Sequence, residues 1–202
     1  MADAKRKSRT EAKREEILAA ASHVFREEGY DTTSMDRIAE RADASKRTVY
    51  NHFGSKEALF EAVVAGLLES MHAAKQVAWD PDRPLADQLG EFARAKGAIS
   101  DDEASMALMR VVLGVAIHRP DFVARVQQKF ESEEDALVRW LRDADAAGAL
   151  SVPDPALAAE LFWAMAAGAL FWPAVIGAPI RPNRRDALVA ELVETFLARY
   201  RR

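Results

Sequence analysis

Thr33-Ser34-Met35-Asp36-Arg37-Ile38-Ala39-Glu40-Arg41-Ala42-Asp43-Ala44-Ser45-Lys46-Arg47-Thr48-Val49-Tyr50-Asn51-His52-Phe53 holds two short helical signatures separated by a tight turn. Thr33 through Asp36 place a hydroxyl cap three residues before a carboxylate, which opens a helix with Met35, Ile38, Ala39 and Ala42 on its inward face. The helical pattern breaks at Asp43-Ala44, and Ser45 caps a second helix in which Val49 and Phe53, four residues apart, point inward. The outward side chains of that second helix are cations, hydrogen-bond donors and stackable rings. Two helices of this size joined by three or four residues suit the placement of the second in a DNA major groove.

Around this segment lie Gly29-Tyr30, Ser55-Lys56-Glu57 and Leu59. Together with Thr33-Ser34-Met35, Ile38-Ala39, Ala42, Ser45, Tyr50 and His52-Phe53 they reproduce a set of fixed spacings. Over residues 13 to 66 the chain resembles the tetracycline-repressor (TetR/AcrR) family of transcription regulators. Three positions depart from the family pattern. Asp43 stands where a turn glycine is usual, which Asp tolerates by bonding its own backbone. Ala44 replaces a common valine. Arg47 replaces a frequent glycine, so a guanidinium reaches toward the bases and any operator sequence borrowed from the family no longer applies.

Composition agrees with an intracellular regulator. Half of the 202 residues are hydrophobic, enough for a sizeable core, and there is no cysteine, which excludes disulfides, thiolate metal sites and thiol redox chemistry. The N-terminus is basic with no apolar stretch behind it, so no secretory signal is expected and the cytoplasm is the expected location. The net charge of −4 divides unevenly: residues 1–56 carry 12 Lys/Arg against 10 Asp/Glu, whereas the rest carries 16 against 22. A basic end on an acidic body suits a phosphate-binding module joined to a domain with another task. The uncharged run from Leu161 to Ile180 is long enough to span a bilayer, but Pro173, Gly177 and Pro179 interrupt it, so no membrane span is expected.

The expected fold class is all-α with about nine helices. Residues 1–10 read as a flexible basic arm, 11–56 as the helix-turn-helix domain and 57–202 as a ligand-binding and dimerisation domain. Helices are expected near 11–28, 35–41, 46–53, 55–71, 84–98, 101–118, 121–147, 154–172 and 184–201. Asn183 is placed at the cap of the last, and the 101–118 helix, apolar on nearly every side, at a domain centre. No segment alternates with period two.

The candidate DNA-binding residues are Thr33, Ser45, Lys46, Arg47, Thr48, Tyr50, Asn51, His52 and Lys56. Arg47 suits the O6 and N7 edge of guanine and Asn51 adenine, while Thr48, Tyr50, His52 and Lys56 suit phosphate oxygens. Lys46 fits either role. Thr33 and Lys56 lie at helix starts, where free amides favour phosphate. Lys5, Arg6, Lys7 and Arg9 are available to a minor groove or simply raise local cation density. Phe92, Met106, Met109, Trp140, Phe162, Trp163 and Met165 offer adaptable apolar walls for a small, largely apolar ligand, with His118 as a polar anchor. Core packing explains each of the seven better taken alone, and His118 at a helix C-terminus more readily satisfies nearby carbonyls.

The run Glu131, Glu133, Glu134, Asp135 reads as a solvated helix face and not as a metal site. No signature of a nucleotide-binding loop, metalloprotease or serine hydrolase occurs, so neither enzymatic activity nor a cofactor is expected. The family resemblance implies a homodimer whose last two helices form the interface, and the apolar stripes supplying it are Leu157, Leu161, Ala164, Met165 and Gly168 with Leu188, Leu192, Val193, Phe196 and Tyr200. The expected function is a dimeric regulator on a palindromic double-stranded operator, acting as a repressor that a small ligand releases. A DNA-binding regulator controlled by a protein partner, and an all-helical ligand-binding or catalytic protein with an incidental basic unit, are the alternatives.

Overall fold

The computed structural model describes residues 2–72, 77–127, 135–178 and 180–202, with the side chains of 2–8, 70–72, 120, 123, 124, 127 and 182 outside the description. Lys5, Arg6, Lys7, Glu131, Glu133 and Glu134 therefore lie, with their expected roles, outside the described side chains. The described chain is all-helical, and its only extended pairing is an isolated bridge between Leu150 and Arg201.

Four helices open the chain: α1 (Ala2–Glu28), α2 (Met35–Arg41), α3 (Lys46–Phe53) and α4 (Lys56–His72). The start of α1 corrects the expected helix start near Glu11. Ala, Lys and Arg, which dominate residues 2–9, are good helix formers, so the basic segment extends the helix. Then follow α5 (Leu85–Ala98), α6 (Glu103–His118), α7 (Pro120–Gln127), α8 (Ala136–Ala146), α9 (Pro155–Ala166), α10 (Trp172–Val175) and α11 (Pro182–Tyr200). Where one helix was expected over 121–147, α7 and α8 are described separately, and Asp135 caps α8 by accepting from the Leu137 N–H at 2.7 Å.

Helix α9 does not stop before Pro173 as expected. It passes through a π turn, Ala167–Phe171, into α10. Proline removes one hydrogen bond and crowds the preceding carbonyl, and the wider π turn accommodates both effects without ending the helix. The 21-residue run Pro155–Val175 is long and apolar enough for a membrane by length and composition alone. One side of it, Ala158, Ala159, Phe162, Ala166, Leu170 and Val175, is buried within the protein. At α11 the cap is Arg181 and Pro182 takes the first turn, where its missing N–H has no partner to lose; Asn183 is not the cap.

The chain forms two compact units, residues 1–69 with 107–129, and residues 70–106 with 130–202. This division replaces the expected boundary at 56/57, because most of α4 and of α6, with α7, belongs to the N-terminal unit. In that unit Phe25, Tyr30 and Phe60 pack with ring centroids 4.8–5.9 Å apart, and Phe122 of α7 stacks on Phe60 at 5.2 Å. Helix α6 is not buried all round: Met106, Leu108, Met109 and Val115 are buried, whereas Ile117 is exposed.

The second unit encloses a larger core in which Leu89, Phe92, Trp140, Phe162, Val193 and Phe196 are central. Gln88, fully buried, satisfies its amide within it. Its Oε1 accepts from Trp140 Nε1 and the Asp80 N–H at 3.0 Å each, and its Nε2 donates to the Asp80 and Arg83 carbonyls at 2.8 and 3.0 Å. A buried amide with all its valences used costs little and fixes the 77–84 loop on α5.

Candidate nucleic-acid interface

Local chemistry sets the α2–α3 turn. Ser34, and not Thr33, is the α2 cap, its Oγ accepting from the Arg37 N–H at 3.1 Å. Asp43 takes the left-handed conformation, with φ 46°, and Ala44 N–H returns to the Ala39 carbonyl at 3.0 Å. Ser45 then caps α3 through the Thr48 N–H at 3.1 Å. Val49 is fully buried, which orients the rest of α3 around it.

The outward face carries Lys46, Arg47, Tyr50 and Asn51, all exposed, flanked by half-buried Thr48 and His52. Arg47 and Asn51, one turn apart, have no side-chain hydrogen bond or ion pair among the described residues, so a guanidinium fork and a carboxamide stand unpaired on one surface. Lys46 pairs with Asp36 at 2.9 Å and lies 6.0 Å from the centre of the Tyr50 ring. That carboxylate raises the affinity of the ammonium for its proton. Thr48 Oγ1 and Ser45 Oγ share a 2.8 Å hydrogen bond.

Two of the expected DNA contacts have other tasks. The Thr33 side chain is buried and its hydroxyl donates to the Gly29 carbonyl at 2.6 Å, so it is not presented to a phosphate. Lys56 spends its ammonium on main-chain oxygens of the α1–α2 connection: Tyr30 at 2.9 Å, Asp31 at 3.2 Å and Thr33 at 2.9 Å. An ammonium has three donors, and three acceptors exhaust them. The lysine was read from its place in a helix's first turn, and sequence alone does not reveal carbonyls brought in from 23–26 residues away.

Other residues escaped the sequence. Lys13 of α1 donates to the Ala42 and Asp43 carbonyls at 3.0 and 3.1 Å, closing the end of α2, and Arg14 lies 5.1 Å from the centre of the Phe53 ring. Their only sequence signal is a basic pair on a polar face. Arg119, just after α6, places its guanidinium 4.9 Å from the centre of the Tyr30 ring and Nη1 3.4 Å from the Tyr30 hydroxyl, while Lys56 Nζ is 4.6 Å from the same ring. Burial, then the charge of Glu57, push the Tyr30 hydroxyl above its usual range, with Arg119 opposing. Arg125 of α7 pairs with Glu61 of α4 at 2.8 Å.

Residues 17–63 match the model described as bacterial regulatory proteins of the tetR family, and residues 87–202 match that of the AefR-like transcriptional repressor C-terminal domain. The chain belongs to the TetR family of transcription regulators. It is 36% identical to a TetR-family regulator structure from Pseudomonas syringae pv. tomato DC3000, covering 93% of this chain and 96% of that one, with a TM-score of 0.74. The flavonoid-responsive regulator FrrA is 28% identical over 94% of this chain and 97% of its own, with a TM-score of 0.76. Among curated relatives, TcmR of Streptomyces glaucescens is 29% identical over 62% of this chain, and the match spans 57% of TcmR's length.

Within this TetR-family chain the other candidate residues separate. Phe92, Trp140, Phe162 and Trp163 come together in the second core, with Trp163 5.5 Å from Phe162 and 6.1 Å from Phe92. Met165 packs partly buried against that core and Met106 is fully buried. Met109 and His118 belong to the first compact unit, and His118 is exposed.

The interface residues also divide. Leu157 and Leu161 are 51% and 49% exposed, Ala164 and Gly168 are exposed, and Trp172 and Ile176 continue this outward stripe. Leu192, Phe196 and Tyr200 are instead buried in their own core, where Phe196 packs 5.2 Å from Phe162 and 4.8 Å from Tyr200; Leu188 is half-buried. The exposed residues of α11 include Ala187, Ala190, Glu191, Glu194 and Ala198 along one side, beside Arg184, Asp186, Thr195 and Arg199. A helical apolar stripe has the same periodicity whether it meets its own domain or a partner, so these α11 assignments fell on the inward face.

Proposed function

We propose that this chain is a homodimeric repressor that reads a palindromic operator through α3 and is released by a small ligand bound in the C-terminal unit. It acts in the cytoplasm and without enzymatic chemistry. The observation that carries this reading is the α3 surface: Arg47 and Asn51 exposed and unpaired, around a buried Val49 that fixes their direction. Lys46, Tyr50, Thr48 and His52 flank them as phosphate contacts, and Lys13 and Lys56 hold the frame by closing main-chain carbonyls.

The dimer is assigned to the outward stripe of α9 and α10 with the small-residue face of α11. Four large apolar side chains in one helical row are costly to leave in water, and Ala164, Gly168, Ala187, Ala190 and Ala198 permit close approach. Two α3 helices must then lie about 34–36 Å apart, or a multiple of it, to enter successive major grooves. The lever is α6, whose first turn belongs to the second unit and whose remainder belongs to the first. Its C-terminal flank engages the reading head through Arg119 on Tyr30 and Phe122 on Phe60. A ligand that prefers another placement of α6 drains the DNA-competent population in proportion to its differential affinity. The likeness to a regulator named as flavonoid-responsive supports control by a small ligand.

The test is selection of bound duplexes from a random pool, followed by titration of the selected duplex at several salt concentrations. A palindromic consensus and a steep fall of affinity with salt are expected. Absence of any enriched sequence refutes the reading.

A further inference from the structure

Lys96 of α5 lies partly buried in the second unit, its Nζ 5.4 Å from the centre of the Phe171 ring, and it has no hydrogen bond or ion pair among the described residues. Asp135 acts on it only through space. The Asp135 carboxylate is committed elsewhere, Oδ1 accepting from the Leu137 N–H at 2.7 Å and Oδ2 from Trp163 Nε1 at 2.6 Å. Desolvation pushes the Lys96 ammonium below the usual lysine range, with the charge of Asp135 opposing. A lysine on a free surface keeps its head in water; one held against a ring and partly desolvated, with its only named counter-charge, Asp135, hydrogen-bonded to other groups, stands ready for an anion.

Its surroundings are aromatic. Phe92 lies one turn before Lys96 on α5 and meets Trp163 edge-on at 6.1 Å. Phe171 ends the π turn, and such turns redirect side chains by one extra residue. We propose that Lys96, Phe92, Trp163 and Phe171 form a recognition site for an organic anion with an aromatic body, a carboxylate or phenolate meeting the Lys96 ammonium while its ring packs on the aromatic side chains. The proposal rests on the reading of the protein as a ligand-controlled regulator, and it replaces the expected largely apolar ligand with a charged aromatic one.

The experiment uses the full-length protein and a panel of aromatic carboxylates, led by 2-naphthoate, each beside its neutral carboxamide. Binding is measured by calorimetry and by thermal stabilisation. The carboxylates are expected to bind about tenfold or more tightly than their carboxamides, the worth of one charge-assisted hydrogen bond in a partly buried site. In Lys96→Met that preference should fall to about one, and in Lys96→Arg it should persist. Carboxamides that bind as well as the carboxylates overturn the anion site while leaving ligand control standing, as does a preference that survives in Lys96→Met. No binding by any member of the panel overturns the aromatic-anion site and leaves ligand control standing. The wild-type comparison of carboxylate with carboxamide decides the matter if Lys96→Met fails to fold.

Discussion

Replacing Lys56 by Met separates two roles that a lysine at the start of a helix can play in a DNA-binding domain. The ammonium donates three hydrogen bonds to carbonyls at 2.9, 3.2 and 2.9 Å and lies 4.6 Å from the centre of the Tyr30 ring. A buried hydrogen bond to a charged group is worth about 1.5–3 kcal/mol. Here the side chain is only partly buried, so water takes over part of the carbonyls' demand once the ammonium is gone. Discounted for that, with about 0.5–1 kcal/mol for the ring contact, the loss is about 2 kcal/mol. For a chain of this length that lowers the melting temperature by about 4–8 °C. The salt slope of operator binding should stay where it was, because no phosphate contact is removed. Arg47→Ala should behave in the opposite way: an unchanged melting temperature, a loss of about 1–3 kcal/mol per reading head and a relaxed preference at one base position. Thermal melts and fluorescence anisotropy between 50 and 300 mM salt, values set by the counterion-release range, measure both. A Lys56→Met protein of wild-type stability whose salt slope falls by about one per head would return Lys56 to the phosphate backbone and refute the reasoning.

Three further outcomes follow from individual side chains. Leu161→Glu, on the exposed stripe, should give folded monomers in sedimentation, whereas Phe196→Glu, inside the second core, should unfold that unit; a dimeric Leu161→Glu protein would move the interface elsewhere. Asp43→Gly should raise the urea midpoint by the equivalent of about 0.5–1 kcal/mol, since glycine adopts the 46° φ freely, and a lowered midpoint would mean that the Asp side chain supports the turn. The Arg185 guanidinium, at 2.7 Å from each Asp101 carboxylate oxygen, holds that carboxyl below its usual range. Its stabilisation is therefore present above about pH 4, where the unfolded carboxyl ionises, and is lost as pH falls through the depressed folded value. The stability gap between wild type and Arg185→Met should narrow in acid, and a gap constant from pH 6 to 2.5 would show packing, not the ion pair, to be the cause.

The parts of this protein that local chemistry determines were legible in the sequence. The capping Ser45, the buried Val49 and the outward Arg47 and Asn51 are all fixed within one or two helical turns, and residue spacing encodes them directly. What escaped depends on residues distant in the chain. Lys13 and Lys56 carry the same charge as any phosphate-binding lysine, and only the carbonyls folded against them reveal their task. Arg119 is separated from Tyr30 by 89 residues, so no motif joins them. The two apolar stripes near the C-terminus show the limit most clearly. Leu161 and Phe196 were indistinguishable by period and hydrophobicity, yet one faces outward and the other closes the core against Phe162. The difference lies in how much of each helix the second unit has room to cover: α11 turns its apolar side inward and leaves alanines and charged or polar residues outside, whereas α9 and α10 carry large apolar side chains on both sides. A helix apolar all round needs two covers. The protein's own core supplies one, and the outward row of Leu157, Leu161, Trp172 and Ile176 is the face on which the proposed dimer rests.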